Sequence, residues 1–240
     1  MTDTDLDMAG LGACPIPISD YPNVLLAHGG GGSLSQMLIE NMFAATFSNP
    51  LLDPLHDGAV LDLPSGRIAV STDSFVINPL FFPGGDIGAL AVHGTVNDVA
   101  MCGAQPVAIT VGMVIEEGLP MEDLWRIVSS IKAAADEAGV VVATGDTKVV
   151  DRGKGDGIFI NTTGIGVLDD SVDIRPERAE AGDVIIASGT IADHGIAIMS
   201  VREGLEFETA LESDTASLNS LVEVILEAGG TDVHVLRDPT

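Results

Sequence analysis

A chain of 240 residues that is 46% hydrophobic has room for one large domain or two modest ones around a substantial core. Thirty-six acidic residues stand against ten basic ones, and the net charge of −26 excludes nucleic acid as a partner, because a phosphate backbone must be met by cations. The apolar runs, such as 107–115, are too short to cross a bilayer, so no membrane association is expected.

The N-terminus, with Asp3, Asp5 and Asp7, is acidic where a secretory signal would be basic. The two cysteines, Cys14 and Cys102, lack the spacing of a zinc site and are too few for a disulfide framework. These features together give a cytoplasmic reading. The low lysine content and the excess of acid fit a salt-rich cytoplasm, where screening shortens the reach of like-charge repulsion.

In chain order, a short apolar run at 23–27 leads into His28-Gly29-Gly30-Gly31-Gly32-Ser33. Beyond it, residues 33–47 have helical spacing, with Leu34, Met37, Leu38, Met42 and Phe43 on one face and Ser33 as N-cap. Residues 59–63 and 67–71 flank Pro64-Ser65-Gly66 as a hairpin, and Asp73 follows its second strand. The proline- and glycine-rich stretch 78–86 reads as loop. Asp86 caps a helix that ends near Cys102-Gly103, where Cys102 reads as a small buried residue.

Residues 106–115 read as a buried strand. Pro120 starts the clearest helix, whose stripe is Leu124, Ile127, Val128, Ile131, Ala135 and Ala138 and whose stop is Gly139. Strand 140–143 then delivers Asp146, and 158–168 is a further strand. The polar stretch 169–182 separates an N-terminal domain, 1–168, from a second one, 169–240. The second holds strand 184–187, a helical segment 195–201, helix 217–228 and strand 233–236. Strands and helices mix without a strict βαβ rhythm, so the class is α+β, or mixed α/β. The chain stops just after an apolar strand, so the second domain reads as incomplete.

Asp73, Asp98 and Asp146 each fall where an apolar element is expected to end, and Mg²⁺ is a hard cation that takes carboxylate and phosphate oxygens. Asn97 stands beside Asp98. A glycine-rich turn opening onto a helix can wrap its N–H groups around an anion. The run at 29–33 lacks the Gly-Lys-Ser/Thr ending of a Walker A loop and the last glycine of the dinucleotide fingerprint. Metal-holding carboxylates and a phosphate-cradling loop together point to a nucleoside triphosphate enzyme. Lys148, in the run Gly145-Asp146-Thr147-Lys148, is one of only three lysines and reads either as a surface ion-pair partner or as a phosphate or catalytic contact.

The pattern Asp98-x4-Gly103-Ala104-x-Pro106 resembles the signature of the ATP-binding superfamily of aminoimidazole ribonucleotide (AIR) synthetase and selenophosphate synthetase. Segments 26–33, 72–88, 93–98, 145–150, 193–200 and 236–240 resemble most closely its hydrogenase-maturation branch, the HypE carbamoyl dehydratases. The resemblance implies an AIR synthetase-like N-terminal sheet domain that dimerises through its sheet, followed by a C-terminal α/β domain that closes over ATP. It implies ATP-dependent dehydration of a thiocarboxamide, carried on a C-terminal cysteine, to a thiocyanate that supplies the cyano ligand of nickel–iron hydrogenase.

On this sequence the resemblance implies metal ligands Asp73, Asp98 and Asp146, and phosphate contacts from Gly29, Gly30, Gly31, Gly32, Ser33 and Asn97. Lys148 takes a catalytic role, the cofactors are ATP and Mg²⁺, and the partners are a second copy, the carbamoyltransferase HypF and the HypC–HypD scaffold. Neither Cys14 nor Cys102 matches the family's reactive cysteine, which belongs to a tail beyond Thr240. A sister enzyme of selenophosphate synthetase or thiamine-phosphate kinase type would keep the ATP site and change the acceptor. A non-catalytic dimerising fragment would bind without turnover.

Overall fold

The computed structural model describes residues 14–17, 20–29, 32–50, 52–53, 66–204 and 211–238. A helical segment comes first: α1 (Ser33–Leu38), a π turn (Ile39–Ala44) and α2 (Ala45–Phe47) run without a break. Leu38, Met42, Phe43 and Phe47 bury its apolar side, as the spacing requires. Ser33 is the first helical residue, and the cap position falls on Gly32, with no side-chain capping bond.

The centre is a four-stranded mixed sheet of β1 (Arg67–Phe75), β4 (Gln105–Glu116), β5 (Val141–Val150) and β6 (Ile158–Leu168), in the order β1-β6-β4-β5. Only β4 and β5 run parallel. They are joined by α4 (Met121–Ala138), whose expected stripe is buried and which Gly139, at φ 71°, terminates. A minimal ribbon, β2 (Phe81–Phe82) with β3 (Gly85–Asp86), lies within the stretch expected as loop.

The Asp86 carboxylate caps α3 (Ile87–Met101), accepting from the N–H groups of Gly88 (2.7 Å) and Ala89 (3.2 Å). Helix α3 packs over β1 and β6 and against α4, and is buried on nearly every side. It lies low on the sheet because Gly166 of β6 has no side chain: a methyl there would stand 2.5 Å from Val99 Cγ1. A buried Thr95–Thr162 hydroxyl pair, with Thr162 donating to the Ala91 carbonyl, fixes the same contact. The opposite face of the sheet is open, leaving Ile68 54% and Val70 58% exposed.

The second part of the chain departs most from expectation. Helices α5 (Asp193–Glu203) and α6 (Asn219–Gly229) form as read. Residues 184–187 and 233–236 are not strands. Val184, Ile185 and Ile186 are 82%, 96% and 86% exposed, because no described strand lies alongside to complete a ladder. The expected strand 59–63 and its turn at 64–65 lie outside the described residues. Cys102 is exposed rather than buried, because it is the C-cap of α3 on the outward side of the turn.

Candidate nucleotide site

Of the three carboxylates, only Asp98 lies at the end of its element, as expected. Asp73 is inside β1, Asp98 is in the last turn of α3, and Asp146 is in the middle of β5. The ladders separate them. Asp73 aligns with Thr162, Val111 and Gly145 across the sheet, while Asp146 aligns with Gly112, Asn161 and Ser74. The two rows point to opposite faces. Strands β1 and β5 are also the two edges, three strand spacings or about 14 Å apart. One ion therefore cannot touch all three within one chain.

Asp73 and Asp98 do come together. Both flank the groove between β1 and α3: Ser71 Oγ donates to Asp98 Oδ2 at 2.9 Å, and Asp73 sits beside Gly94, one helical turn before Asp98. Asp73 also accepts from the Ser74 N–H at 2.7 Å. Ser71 was not singled out from the sequence. Its position two residues before Asp73, and so on the same face of the strand, was the available signal.

Asn97 does not turn toward this groove. Its Nδ2 donates to the Ala216 carbonyl and to Asp238 Oδ2, both at 3.0 Å, while its Oδ1 accepts from the Leu218 N–H at 2.8 Å. The amide is thus engaged in holding the second part of the chain against α3.

At the other edge of the sheet, a cavity of about 310 Å³ lies between the helical segment 33–47 and β5. Leu38, Phe43, Phe47, Met113 and Val142 supply hydrocarbon, and His28, Gly29, Ser35, Thr144, Asp146 and Thr147 supply the polar lining. The π turn contributes Ile39, Phe43 and Ala44 to the wall, the kind of helical irregularity found at functional sites.

Gly29 ends a 3₁₀ turn (Leu26–Gly29) that presses onto β5, where a methyl at Gly29 would stand 2.6 Å from the Val149 nitrogen. The backbone can reach the strand only without a side chain there. Gly32 and Ser33 are exposed at the start of α1, and Gly30 and Gly31 lie outside the described residues.

Asp146 and Lys148 are two apart on β5, so they share its outer face, and both are exposed. Neither side chain has a partner among the described residues. His28 is 2% exposed, and burial holds its imidazole below the ordinary histidine range. His194 lies in the first turn of α5, well away from this cavity, hydrogen-bonded to Ser213 Oγ at 2.9 Å. The cavity therefore combines an apolar interior with glycine backbone and a free carboxylate at its rim. That is the make-up of a site for a ligand with a flat apolar end and a charged one.

The description "AIR synthase related protein, N-terminal domain" fits residues 55–168, and its C-terminal domain counterpart fits 180–240. The carbamoyl dehydratase HypE of Azotobacter vinelandii is 53% identical over 91% of this chain and 64% of its own length. A crystal structure of hydrogenase maturation protein HypE in complex with ATP matches with a TM-score of 0.87 and 53% identity, covering 90% of this chain and 64% of that one. A crystal structure of a HypE–HypF complex matches at 0.71 and 52% identity, covering 85% of this chain and 65% of that one. The chain spans a little under two thirds of the length of these relatives.

Proposed function

The chain belongs to the AIR synthase related family, and from that premise we propose that it is the nucleotide-binding part of an ATP-dependent carbamoyl dehydratase of hydrogenase maturation. The reaction converts a protein-bound thiocarboxamide into a thiocyanate, the source of the cyano ligand of nickel–iron hydrogenase. An amide oxygen is a poor leaving group, and ATP supplies the phosphoryl group that lets it depart as phosphate. The protein's share is to position the reactants and offset charge.

The cavity beside Gly29 carries this reading, with Asp146 at its rim and Lys148 on the adjoining strand face. Gly29, Gly32 and Ser33, with Gly30 and Gly31 between them, offer N–H groups to phosphate oxygens. Carboxylate oxygens suit Mg²⁺, and Asp146 at the cavity and the Asp73–Asp98 pair at the β1–α3 groove would hold it as separate sets. Lys148 is placed to meet a phosphate or to help deprotonate the carboxamide. Asn97 enters this reading through the segment it pins rather than by touching phosphate.

The open sheet face bearing Ile68 and Val70 is the surface for a second copy. HypF, which the matched complex contains, would deliver the carbamoyl group, and the HypC–HypD scaffold would receive the cyano group. The acceptor thiol of the reaction is neither Cys14 nor Cys102. Burial pushes the Cys14 thiol up, and partial desolvation with the Asp98 carboxylate nearby does the same at the Cys102 thiol on the α3 cap, so the reactive thiolate is disfavoured at each.

Calorimetric titration of MgATP into the wild-type chain, Asp146→Asn and Asp98→Asn tests the reading. Binding that weakens about tenfold or more in Asp146→Asn is expected, in line with losing a charge-assisted contact. Equal MgATP affinity in folded wild type and Asp146→Asn would overturn the cavity assignment. Equal affinity in Asp98→Asn would remove the β1–α3 groove from the nucleotide site.

A further inference from the structure

Among the described residues, one group of three side chains brings nitrogen and carboxylate donors to a common point: Glu180, Asp183 and His234. A ligand atom of each lies within 4.8 Å of those of the other two. His234 Nδ1 stands 3.1 Å from Asp183 Oδ2 and 4.0 Å from Glu180 Oε1. Donors held about 2.1 Å from one tetrahedral ion are about 3.4 Å apart, so small side-chain rotations put all three on a single cation.

The backbone on both sides of this point is fastened. Glu180 and Asp183 share one turn, in which the Asp183 N–H donates to the Glu180 carbonyl at 3.2 Å and the Glu180 N–H to Asp183 Oδ2 at 3.1 Å. His234 arrives from 51 residues further along the chain. The Arg175 N–H donates to the His234 carbonyl at 3.3 Å, and Arg178 donates to the carbonyls of Val233 (3.0 Å) and Thr231 (2.7 Å). Arg178 also donates to the Asp173 carbonyl, so its guanidinium is engaged by backbone oxygens. Among the described residues, His234 is the side chain that both carboxylates of the turn meet.

We propose that Glu180, Asp183 and His234 hold a divalent cation of the zinc class. The donor set decides the class. Mg²⁺ and Ca²⁺ take oxygen donors, whereas one imidazole with two carboxylates suits Zn²⁺ and its neighbours. The imidazole also separates this site from the general attraction of a chain of net charge −26 for any cation. Glu180 is 72% exposed, which leaves water free to complete the coordination. Nδ1 must give up any proton it shares with Asp183 in order to ligate, and the neutral ring then carries its proton on Nε2. Bound there, the ion clips the turn at 180–183 to His234 and closes the long loop that holds α5 and α6. None of the three residues lines the cavity beside Gly29, so the inference stands apart from the nucleotide reading.

The test is a calorimetric titration of Zn²⁺ into the full, metal-stripped chain, alone and against about a hundredfold excess of Mg²⁺, and into His234→Gln and Asp183→Asn. One Zn²⁺ should bind per chain and resist Mg²⁺. His234→Gln keeps the carboxylates, and it should weaken binding about tenfold or more, since even residues that merely support a metal ligand cost that much. Asp183→Asn should do the same. Absence of binding, displacement by Mg²⁺, or unchanged affinity in either folded variant would overturn the inference. Two readouts need no variant to fold: one equivalent of Zn²⁺ should shift the ¹⁵N resonance of His234 Nδ1 and slow hydrogen exchange in 180–183 and 231–234. An unmoved Nδ1 resonance in a zinc-saturated sample would equally overturn it.

Discussion

Asn97 is the clearest mechanical link between the two parts of the chain, and cutting it has a calculable effect. Its amide makes three hydrogen bonds to residues 216–238, and it is buried to 4% exposure. At about 1 kcal/mol each, Asn97→Ala should cost about 3 kcal/mol of docking, a factor of roughly one hundred in the docked-to-undocked ratio. Other contacts share the load: Asn219 Nδ2 donates to the Ala138 carbonyl at 2.9 Å, and the Ser213 N–H to the Pro83 carbonyl at 2.8 Å. The loss should therefore appear as local opening rather than global unfolding. Hydrogen exchange read by mass spectrometry should show protection in 211–229 falling about a hundredfold, with β4 and β6 unchanged. Asn97→Asp keeps the acceptor for the Leu218 N–H but turns a negative charge toward Asp238. It should open the segment at least as far, and less so in high salt. Unchanged protection in 211–229 would refute the reasoning. Loss shared equally by the sheet would make Asn97 a core residue of α3 instead of a link.

Acid should destabilise the fold through its buried imidazoles. Burial lowers the folded-state titration of His28, His93 and His194, so below about pH 6.5 the unfolded chain binds more protons and stability falls with pH. His93 has no partner on either ring nitrogen among the described residues, so His93→Leu should lose less melting temperature than the wild type between pH 7 and 5.5; parallel slopes would contradict this. With a net charge of −26, the melting temperature should rise between dilute buffer and about molar KCl as screening shortens to about 3 Å, and a flat or falling curve would dismiss self-repulsion as a significant term.

What could be read from the sequence follows from how local the governing interaction is. The α4 stripe, its Gly139 stop and the Asp86 cap of α3 are settled within a few residues, and the structure has all three as read. Strand β6 was readable from its bounded apolar run, but the apparent strands at 184–187 and 233–236 were not, because a strand exists only with a neighbour to pair with. The carboxylates show the converse. The apolar pattern of β5 stops after Ala143, so Asp146 looked like a residue beyond the strand's end. The ladder to β4 nevertheless runs on to Val150, because its hydrogen bonds are made by backbone and ignore side-chain polarity. Strand β5 turns from Val141, Val142 and Ala143 to Thr144, Asp146 and Lys148 across a register shift at Ala143, and so continues as one edge strand whose far half is polar. Asp146 lines the cavity from that polar half, and β1 repeats the change of character where Ala69 gives way to Ser71 and Asp73. His28 had no such signal. A lone histidine before glycines reads as loop, and only the structure shows its ring buried and its Nδ1 accepting from the Leu25 N–H.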